Sequence, residues 1–425
     1  MENYIKRIID DELEELFEQL PAISIEGPKG VGKTETARRW ADVVFELDDP
    51  SQREIIEADP SIVSEEKGLV LIDEWQYVPE TWDIVRRAVD QNSSARQFLL
   101  TGSATPTEFP THSGAGRIVT LRLRPFSLAE RGLISPKVSL RDLLKGEAKS
   151  KIKGKTELDL KDYVDEILKS GFPGIRNFTG RSLREQLQSY ATRIVDTDFP
   201  QMDHPLRKPK TLIRWMTAYA AATSTTASYE TIRDAATSNK NNKPAKTTTI
   251  PYREVLEKLW ILEPLPAWLP SRNQFSRLSK PPKHQLADPA LAAQLLKVNI
   301  KGLLTGKEFG PPIPRDGTLL GKLFESLVCQ SVRVYAQACE ATVGHLRTKG
   351  GRHEVDLIVE RGSGKVVAFE VKLGRTVESN DVKHLLWLKE KMGDDLLDAG
   401  VIHTGPRAYR RKDGIAVIPA ALLGP

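Results

Sequence analysis

Residues 27–34 read Gly27-Pro28-Lys29-Gly30-Val31-Gly32-Lys33-Thr34 and fit the pattern G-x-x-x-x-G-K-S/T without a mismatch. The apolar segment 22–26 before them predicts a buried strand, and the residues from Glu35 onward predict a helix. In this context backbone N–H groups and the helix N-terminus face phosphate oxygens. Lys33 can reach the β- and γ-phosphates, and Thr34 can ligate magnesium. We therefore expect residues 27–35 to bind a nucleoside triphosphate; a chance glycine-rich turn is the alternative.

A second group of candidate residues follows about forty positions later. In residues 68–74, four apolar residues are followed by two acids, Asp73 and Glu74. This pattern predicts a strand buried on both faces. Ligands of open α/β sheets lie at the carboxyl ends of the strands. We expect Asp73 to hold magnesium through its water shell, and Glu74 to act with Lys33 as a catalytic residue by polarising the attacking water. The alternative is that both acids only begin the next helix.

Two further positions are candidates for reading the γ-phosphate. Residues 97–103 predict a third strand whose polar end carries Thr101 and Ser103, and either hydroxyl is a candidate sensor. Arg117 follows a glycine turn and precedes another strand, so it can read phosphate in its own subunit or in a neighbour, as arginine fingers do. Equally, Ser103 can belong to a common turn and Arg117 can be a solvated residue.

The motifs together resemble a known family. The sequences GPKGVGKT (27–34), LVLIDEWQYVPETWDIVRRAVD (69–90), FLLTGSATP (98–106) and HSGAGRIVTLRLRPFSLAE (112–130) look like the core of a bacterial and archaeal AAA-type family. In that family an ATPase module is fused to a C-terminal domain described only as of unknown function. The resemblance covers nearly the whole chain and implies an AAA+-like fold with ATP or ADP and Mg²⁺ as cofactors. No N-K-x-D motif for guanine stands where it is expected, which favours ATP.

The middle of the chain is basic. Residues 205–285 contain fourteen lysines and arginines against five acids, which indicates a polyanionic partner. Helices are predicted at 211–222, 229–236 and 249–259, followed by a strand, and this is the order of a winged helix. We expect DNA contacts around the third helix from Lys243, Lys246, Thr248 and Arg253. The alternatives are a solvated surface and a unit that only packs domains together.

The last hundred residues contain a second constellation of acids. Glu325 lies in an apolar helical segment, Asp356 in a strand, and Glu370 and Lys372 in the next strand, after a Gly-Ser-Gly turn. Alternation puts Glu370 and Lys372 on one face, and pairing across the hairpin brings Asp356 beside Glu370.

This order resembles the PD-(D/E)xK nuclease site, although no proline precedes Asp356. The resemblance implies that Asp356 and Glu370 bind magnesium with support from Glu325, and that Lys372 orients or activates the attacking water. The structural alternative is an ion-pair cluster, which is tolerable in a protein interior only when every charge is paired.

The sequence of 425 residues predicts an α/β protein of several parts. We expect a P-loop ATPase core (1–130), a helical lid (131–204), a winged-helix-like domain (205–290) and a nuclease-like C-terminal α/β domain (291–425). Neither a signal peptide nor a membrane span is predicted, and two cysteines allow no metal site by themselves, so we expect a cytoplasmic protein.

Two functions fit these expectations. The first is an ATPase that binds duplex or branched DNA, with a homo-oligomer in which Arg117 is a candidate contact between subunits. The second is a nucleotide-dependent switch that binds a protein partner, for example in a toxin–antitoxin or stress system, and that has an inactive nuclease fold.

Overall fold

A computed structural model describes residues 4–103, 114–148, 152–202, 206, 208–237, 244–270, 281–362 and 364–425. The strands within these ranges form a parallel sheet of five strands, a mixed sheet of seven and a short two-stranded sheet. No helix in the described ranges has the length and apolar character that crossing a membrane requires.

The N-terminal sheet is entirely parallel, in the order β2-β3-β4-β1-β5. Its strands are β1 (Ala22–Glu26), β2 (Val43–Glu46), β3 (Val70–Asp73), β4 (Phe98–Gly102) and β5 (Ile118–Arg122). Its helices are α1 (Ile8–Leu16), α2 (Lys33–Arg38), α3 (Pro50–Ala58), α4 (Ile62–Glu65) and α5 (Glu80–Gln91). Two apolar clusters cover the faces of this sheet, and β3 is buried on both sides as predicted. Because β4 lies between β1 and β3, its polar end lies between the loop at 27–34 and the acids at 73 and 74.

The middle of the chain is mostly helical. Its elements are β6 (Val138–Ser139), α6 (Leu140–Leu144), β7 (Gly154–Lys155), α7 (Leu160–Lys169), α8 (Pro173–Arg176), α9 (Gly180–Arg193), α10 (Pro209–Ala221), α11 (Tyr229–Ala235), α12 (Lys246–Lys258), α13 (Pro289–Leu295) and α14 (Ile300–Leu304). A turn of π-helix, Ile194–Asp198, continues α9.

The C-terminal sheet has the order β7-β12-β13-β11-β10-β9-β8. Its elements are α15 (Leu319–Ala338), β8 (Ala341–Arg347), β9 (Glu354–Arg361), β10 (Lys365–Lys372), α16 (Lys383–Met392), β11 (Leu396–His403), β12 (Arg407–Arg410), β13 (Ala416–Pro419) and β14 (Leu423–Gly424), the last pairing with β6. Alternate residues of β9 and β10 pack into two different apolar clusters, one with α15 and one with α16. Helices therefore cover both faces of this sheet.

The predicted domain boundaries at 205 and 291 do not separate independent cores. One apolar cluster extends from Leu128 to Leu423 and includes Trp215 of α10, Phe324 of α15 and Phe369 of β10. The predicted lid is also divided, because β7 joins the C-terminal sheet while α9 packs near the loop at 27–34. The early part of the lid thus belongs structurally to the C-terminal half.

The three helices predicted for the winged-helix-like part are present as α10, α11 and α12. The segment after α12 forms antiparallel bridges, Leu262 with Leu286 and Leu265 with Lys283. The winged-helix arrangement itself stays a prediction. Lys243 lies outside the described residues.

Candidate functional site

The loop at 27–34 depends on two of its glycines. Gly32 has φ 102°, in the left-handed region that side chains avoid, and it caps the N-terminus of α2. A Cβ atom at Gly27 would collide with the carbonyl oxygen of Leu123, which follows β5. Lys33 begins α2, and its Nζ donates to the carbonyl oxygens of Gly27 (3.0 Å) and Pro28 (3.1 Å). Burial lowers the pKa of Lys33 to about 8, since a charged ammonium is costly to hold away from water.

Thr34 and Asp73 meet at the carboxyl edge of the sheet. The Thr34 hydroxyl donates to both carboxylate oxygens of Asp73, at 2.9 and 3.0 Å. Thr101 at the end of β4 also donates to Asp73. Burial raises the pKa of Asp73 despite these hydrogen bonds. A hydroxyl and a carboxylate held together are hard oxygen donors, and they fit a Mg²⁺ ion that takes its remaining ligands from water and phosphate.

Glu74 turns away from the strand because its backbone is left-handed, with φ 54°. Its amide donates to the Thr101 hydroxyl, at 3.1 Å. The Ser103 hydroxyl donates to the Glu74 carboxylate at 2.8 Å, and the side-chain amide of Gln76 donates to the same oxygen. The structure therefore brings the predicted sensor and the predicted catalytic acid into direct contact. Gln76 is a site residue that sequence reasoning missed, since its motif contained no signal beyond its proximity to Glu74.

The predicted lid region contacts the loop directly through α9 and the π-helical turn that follows it. The Tyr190 hydroxyl of α9 donates to the carbonyl oxygen of Lys29 at 2.9 Å. The Lys29 ammonium pairs with Asp198 at 2.8 Å. Val31 is buried, and its carbonyl oxygen accepts from Arg7 at 3.2 Å. The inner residues of the loop are thus fixed by the lid and by the N-terminal segment.

A cleft of 600 Å³ opens beside the loop. Tyr4, Gly32 and Glu35 contribute to one wall, and Pro173 and Asn177 of the lid region contribute to the other. The cleft therefore lies beside the loop at 27–34, between the N-terminal segment and α8.

Arg117 is not brought to this site within the chain. It precedes β5, which runs parallel to β1, so it lies at the opposite edge of the sheet from the loop that follows β1. Its guanidinium pairs with Asp90 of α5 at 2.7 Å. Of the two predicted roles of Arg117, the reading of phosphate in its own subunit does not fit this position, and a contact to a neighbouring subunit stays a prediction.

The predicted nuclease residues converge on a second cleft, of 570 Å³. The β-hairpin pairs Phe369 with Leu357, and this register sets Glu370 beside Asp356. Lys372 Nζ lies 2.9 Å from Glu370 Oε2, on the same face of β10. Glu325 faces the same cleft from α15.

Two of these carboxylates, Glu325 and Asp356, already surround a cation together with Glu354. Lys283 Nζ lies 2.8 Å from Glu325, 2.8 Å from Asp356 and 3.1 Å from Glu354. Burial would raise the pKa of Asp356, but Lys283 holds that pKa well below its usual range. Burial and the charge of Asp356 raise the pKa of Glu370 well above its usual range.

The prediction of a magnesium site at Glu325, Asp356 and Glu370 therefore needs correction. In the part of the chain that the structure describes, no group of three or more His, Cys, Asp or Glu side chains is arranged to hold a metal ion. Lys283 explains the difference, because its ammonium lies among the carboxylates that were expected to bind the metal. From the sequence, this lysine counted only as one of the basic residues of 205–285. Its acidic neighbours lie more than forty residues away, so no local pattern indicated it.

The predicted DNA-binding residues lie along α12. Lys246 and Thr248 are exposed in its first turn, and Lys246 pairs with Glu230. The Arg253 guanidinium lies over the ring of Tyr229, 4.8 Å from its centroid, and within 3.9 Å of Glu257. These residues share one helix, but acidic neighbours neutralise part of their charge.

A parallel sheet, a phosphate loop and paired acids at its carboxyl edge define a nucleotide-binding domain of the P-loop class. Residues 19–131 match a family described as "AAA domain", which supports ATPase activity in this part of the chain. Residues 160–301 and 320–423 match two families described as domains of unknown function (DUF8612 and DUF4143). The resemblance to an ATPase with a C-terminal domain of unknown function is thus confirmed, while the nuclease likeness of that domain is not shown.

Two curated relatives cover nearly the whole chain. They are Mb2031c of Mycobacterium bovis and Rv2008c of Mycobacterium tuberculosis, both described as uncharacterized. Each is 23% identical over 424 residues, covering 96% of this chain and 82% of the relative.

Solved structures give weaker matches. A RuvB variant of Thermotoga maritima has a TM-score of 0.26 at 13% identity, over 60% of this chain and 88% of its own. ORC2 of Aeropyrum pernix has a TM-score of 0.22 at 14% identity, over 63% and 90%. Scores this low do not bear on fold or function.

Proposed function

We propose that this protein is a Mg²⁺-dependent ATPase whose reaction takes place at the loop of residues 27–34. The observation that carries the proposal is the contact between Glu74, Ser103 and Gln76 directly beside Thr34 and Asp73. A nucleotide-binding loop alone needs no such acid. A carboxylate that is oriented by two hydrogen bonds at the carboxyl edge of the sheet is suited to polarise water.

Each residue has a defined role in this proposal. Lys33 leaves the carbonyl oxygens of its own loop and neutralises the β- and γ-phosphates. Thr34 and Asp73 hold magnesium, which neutralises charge on the phosphate oxygens when it is bound. Glu74 accepts a hydrogen bond from the attacking water, and Ser103 and Gln76 hold its carboxylate in position.

We infer that the nucleoside lies in the cleft beside the loop at 27–34. Tyr4 and Pro173 offer ring surfaces for a purine, and Glu35 on α2 lies near the loop end of the cleft. Since both walls contribute, we expect nucleotide binding to hold α8 and the core together.

The test is ATP hydrolysis by wild type and Glu74→Gln, with binding of a fluorescent ATP analogue measured in parallel. Removal of a general base typically costs about 10²- to 10⁴-fold in rate. We expect that loss in Glu74→Gln with unchanged nucleotide affinity. Glu80→Gln, an exposed acid at the start of α5, is the matched control. Equal turnover in wild type and Glu74→Gln would show that Glu74 is not the base.

The second candidate function is the nucleotide-dependent switch with an inactive nuclease fold. The specific observation in its favour is Lys283, which occupies the centre of the acidic cluster. Under this proposal ATP hydrolysis times a conformational change, and the C-terminal domain binds a partner without cutting it. Incubation of wild type with DNA and RNA in Mg²⁺ or Mn²⁺ tests it, since cleavage that Asp356→Ala abolishes would contradict it.

A DNA partner is proposed for the first turn of α12. Lys246 and Thr248 are exposed there, and the turn contains no acid, which suits phosphate contacts. Duplex and branched DNA are offered to wild type and to Lys246→Ala/Thr248→Ala at low salt, where phosphate contacts are strongest. Equal affinity of both proteins would place any DNA site elsewhere.

A further inference from the structure

The acidic cluster of Glu325, Glu354 and Asp356 forms the floor of the C-terminal cleft. Glu325 and Asp356 are buried, with 5% and 8% of their surface exposed. Three carboxylates gathered on the floor of a 570 Å³ cleft would ordinarily attract a divalent cation. Their negative charge needs a counter-charge, because unpaired buried carboxylates are costly.

Lys283 supplies that counter-charge from within the chain. An ammonium has three N–H donors, and Lys283 Nζ has three carboxylate neighbours at 2.8, 2.8 and 3.1 Å. Its side chain is 1% exposed. Burial alone would lower the pKa of Lys283, but the three carboxylates outweigh it and raise the pKa well above its usual range.

The backbone fixes the lysine in this position. The amide of Lys283 donates to the carbonyl oxygen of Leu265 at 2.9 Å, and the amide of Leu265 donates back at 2.8 Å. The backbone carbonyl oxygen of the next residue, His284, accepts a hydrogen bond from the backbone amide of Ser224 at 2.7 Å. Backbone hydrogen bonds of Lys283 and of its neighbour therefore fix the position from which the lysine side chain reaches the acidic cluster.

We propose that Lys283 is a permanent internal cation that closes the acidic cluster to divalent metals. A metal ion at the centre of the cluster would have to share carboxylate oxygens with the ammonium, and two cations a few ångströms apart repel strongly where water is scarce. Replacing Lys283 by a neutral side chain removes this repulsion and leaves the carboxylates of Glu325, Glu354 and Asp356, of which Glu325 still pairs with Lys322. The cluster is then a latent site for one Mn²⁺ or Mg²⁺ ion.

The experiment measures Mn²⁺ binding to the full chain without nucleotide, from the electron paramagnetic resonance signal of free Mn²⁺. All proteins contain Asp73→Asn, so that the ATP site does not contribute. The parent is compared with Lys283→Met and with Lys283→Met/Asp356→Asn. The matched control is Lys322→Met, which removes a second lysine that contacts Glu325 at 3.0 Å.

We expect Lys283→Met to bind one Mn²⁺ at least ten-fold more tightly than the parent. The added Asp356→Asn substitution should abolish this gain, and Lys322→Met should resemble the parent. A folded Lys283→Met protein that binds Mn²⁺ no better than the parent would overturn the proposal.

A second comparison does not depend on the folding of Lys283→Met. If the cluster is closed, Asp356→Asn leaves the Mn²⁺ binding of the parent unchanged. If the parent instead binds Mn²⁺ at a site that Asp356→Asn removes, the cluster is open and the proposal is wrong.

Discussion

The loop of residues 27–34 and the C-terminal acidic cluster each contain a buried lysine near acids at the edge of a sheet. Lys33 donates to two neutral carbonyl oxygens, and its pKa is lowered to about 8. Lys283 is enclosed by three carboxylates, and its pKa is raised. A buried charge whose partners are neutral remains able to bind a charged ligand, whereas a neutralised charge holds the fold together. The comparison assigns ligand binding to the first site and structure to the second.

The largest expected effect is on stability, and it concerns the second site. Lys283→Met removes the cation that three carboxylates share, although Lys322 still contacts Glu325, and breaking a buried ion pair costs about 3–5 kcal/mol. We expect this loss in the free energy of unfolding, measured in urea without divalent metals, with unchanged ATP affinity. A loss below about 1 kcal/mol would mean that the cluster is hydrated and the lysine dispensable.

The corresponding substitution at the first site, Lys33→Met, should lower ATP affinity and leave stability nearly unchanged. Lys33→Met removes a charged contact to phosphate worth about 1.5–3 kcal/mol, or roughly 10- to 100-fold in ATP affinity. Stability without nucleotide should hardly change, because the ammonium has only neutral partners. Titration with a fluorescent ATP analogue and urea unfolding measure both quantities. If Lys33→Met were as destabilising as Lys283→Met, the distinction between the two lysines would fail.

The lowered pKa of Lys33 predicts a pH dependence of ATP binding. Below pH 8 the free protein already has a charged Lys33, and above pH 8 it must take up a proton when phosphate binds. We expect affinity to fall by up to about ten-fold per pH unit above 8, since one proton is involved. Calorimetry in buffers of different ionisation enthalpy measures the proton uptake. Lys33→Met should show no such uptake.

The smallest expected effect concerns the lid. Tyr190→Phe removes the hydrogen bond to the carbonyl oxygen of Lys29, which is worth about 0.5–1.5 kcal/mol. We expect both stability and ATP affinity to decrease. Tyr163→Phe is the matched control, since it removes the hydroxyl that accepts a hydrogen bond from the backbone amide of Ala421 in the C-terminal half. It should lower stability alone, and an equal effect of both variants on ATP affinity would contradict a local role for the lid.

The first site could be predicted from the sequence because its residues belong to short, local motifs. Gly27–Thr34 follow one strand, Asp73 and Glu74 end another, and parallel strands bring their carboxyl ends to one edge. The same rule shows why Arg117 was misplaced, since it stands before its strand and not after it. Gln76 escaped prediction because its role depends on the turn that the left-handed Glu74 begins.

The acidic cluster could be predicted only in part. Alternation in β10 and hairpin pairing indicated that Asp356, Glu370 and Lys372 share a face. Lys283, however, comes from a segment beyond α12 that no local pattern connects to the C-terminal sheet. From the charge count alone, this lysine was expected to be one of the exposed basic residues of 205–285. Composition does not reveal which charges the fold buries.

The apolar cluster from Leu128 to Leu423 limits how the chain can be cut into fragments and how its parts can change in evolution. The matched ranges 160–301 and 320–423 look like separable modules, yet their side chains fill one interior. Cutting the chain between them would expose apolar surface on both fragments. A replacement of one range by that of a distant homologue would have to bring compensating changes in the other, so the two ranges are expected to evolve as a single unit.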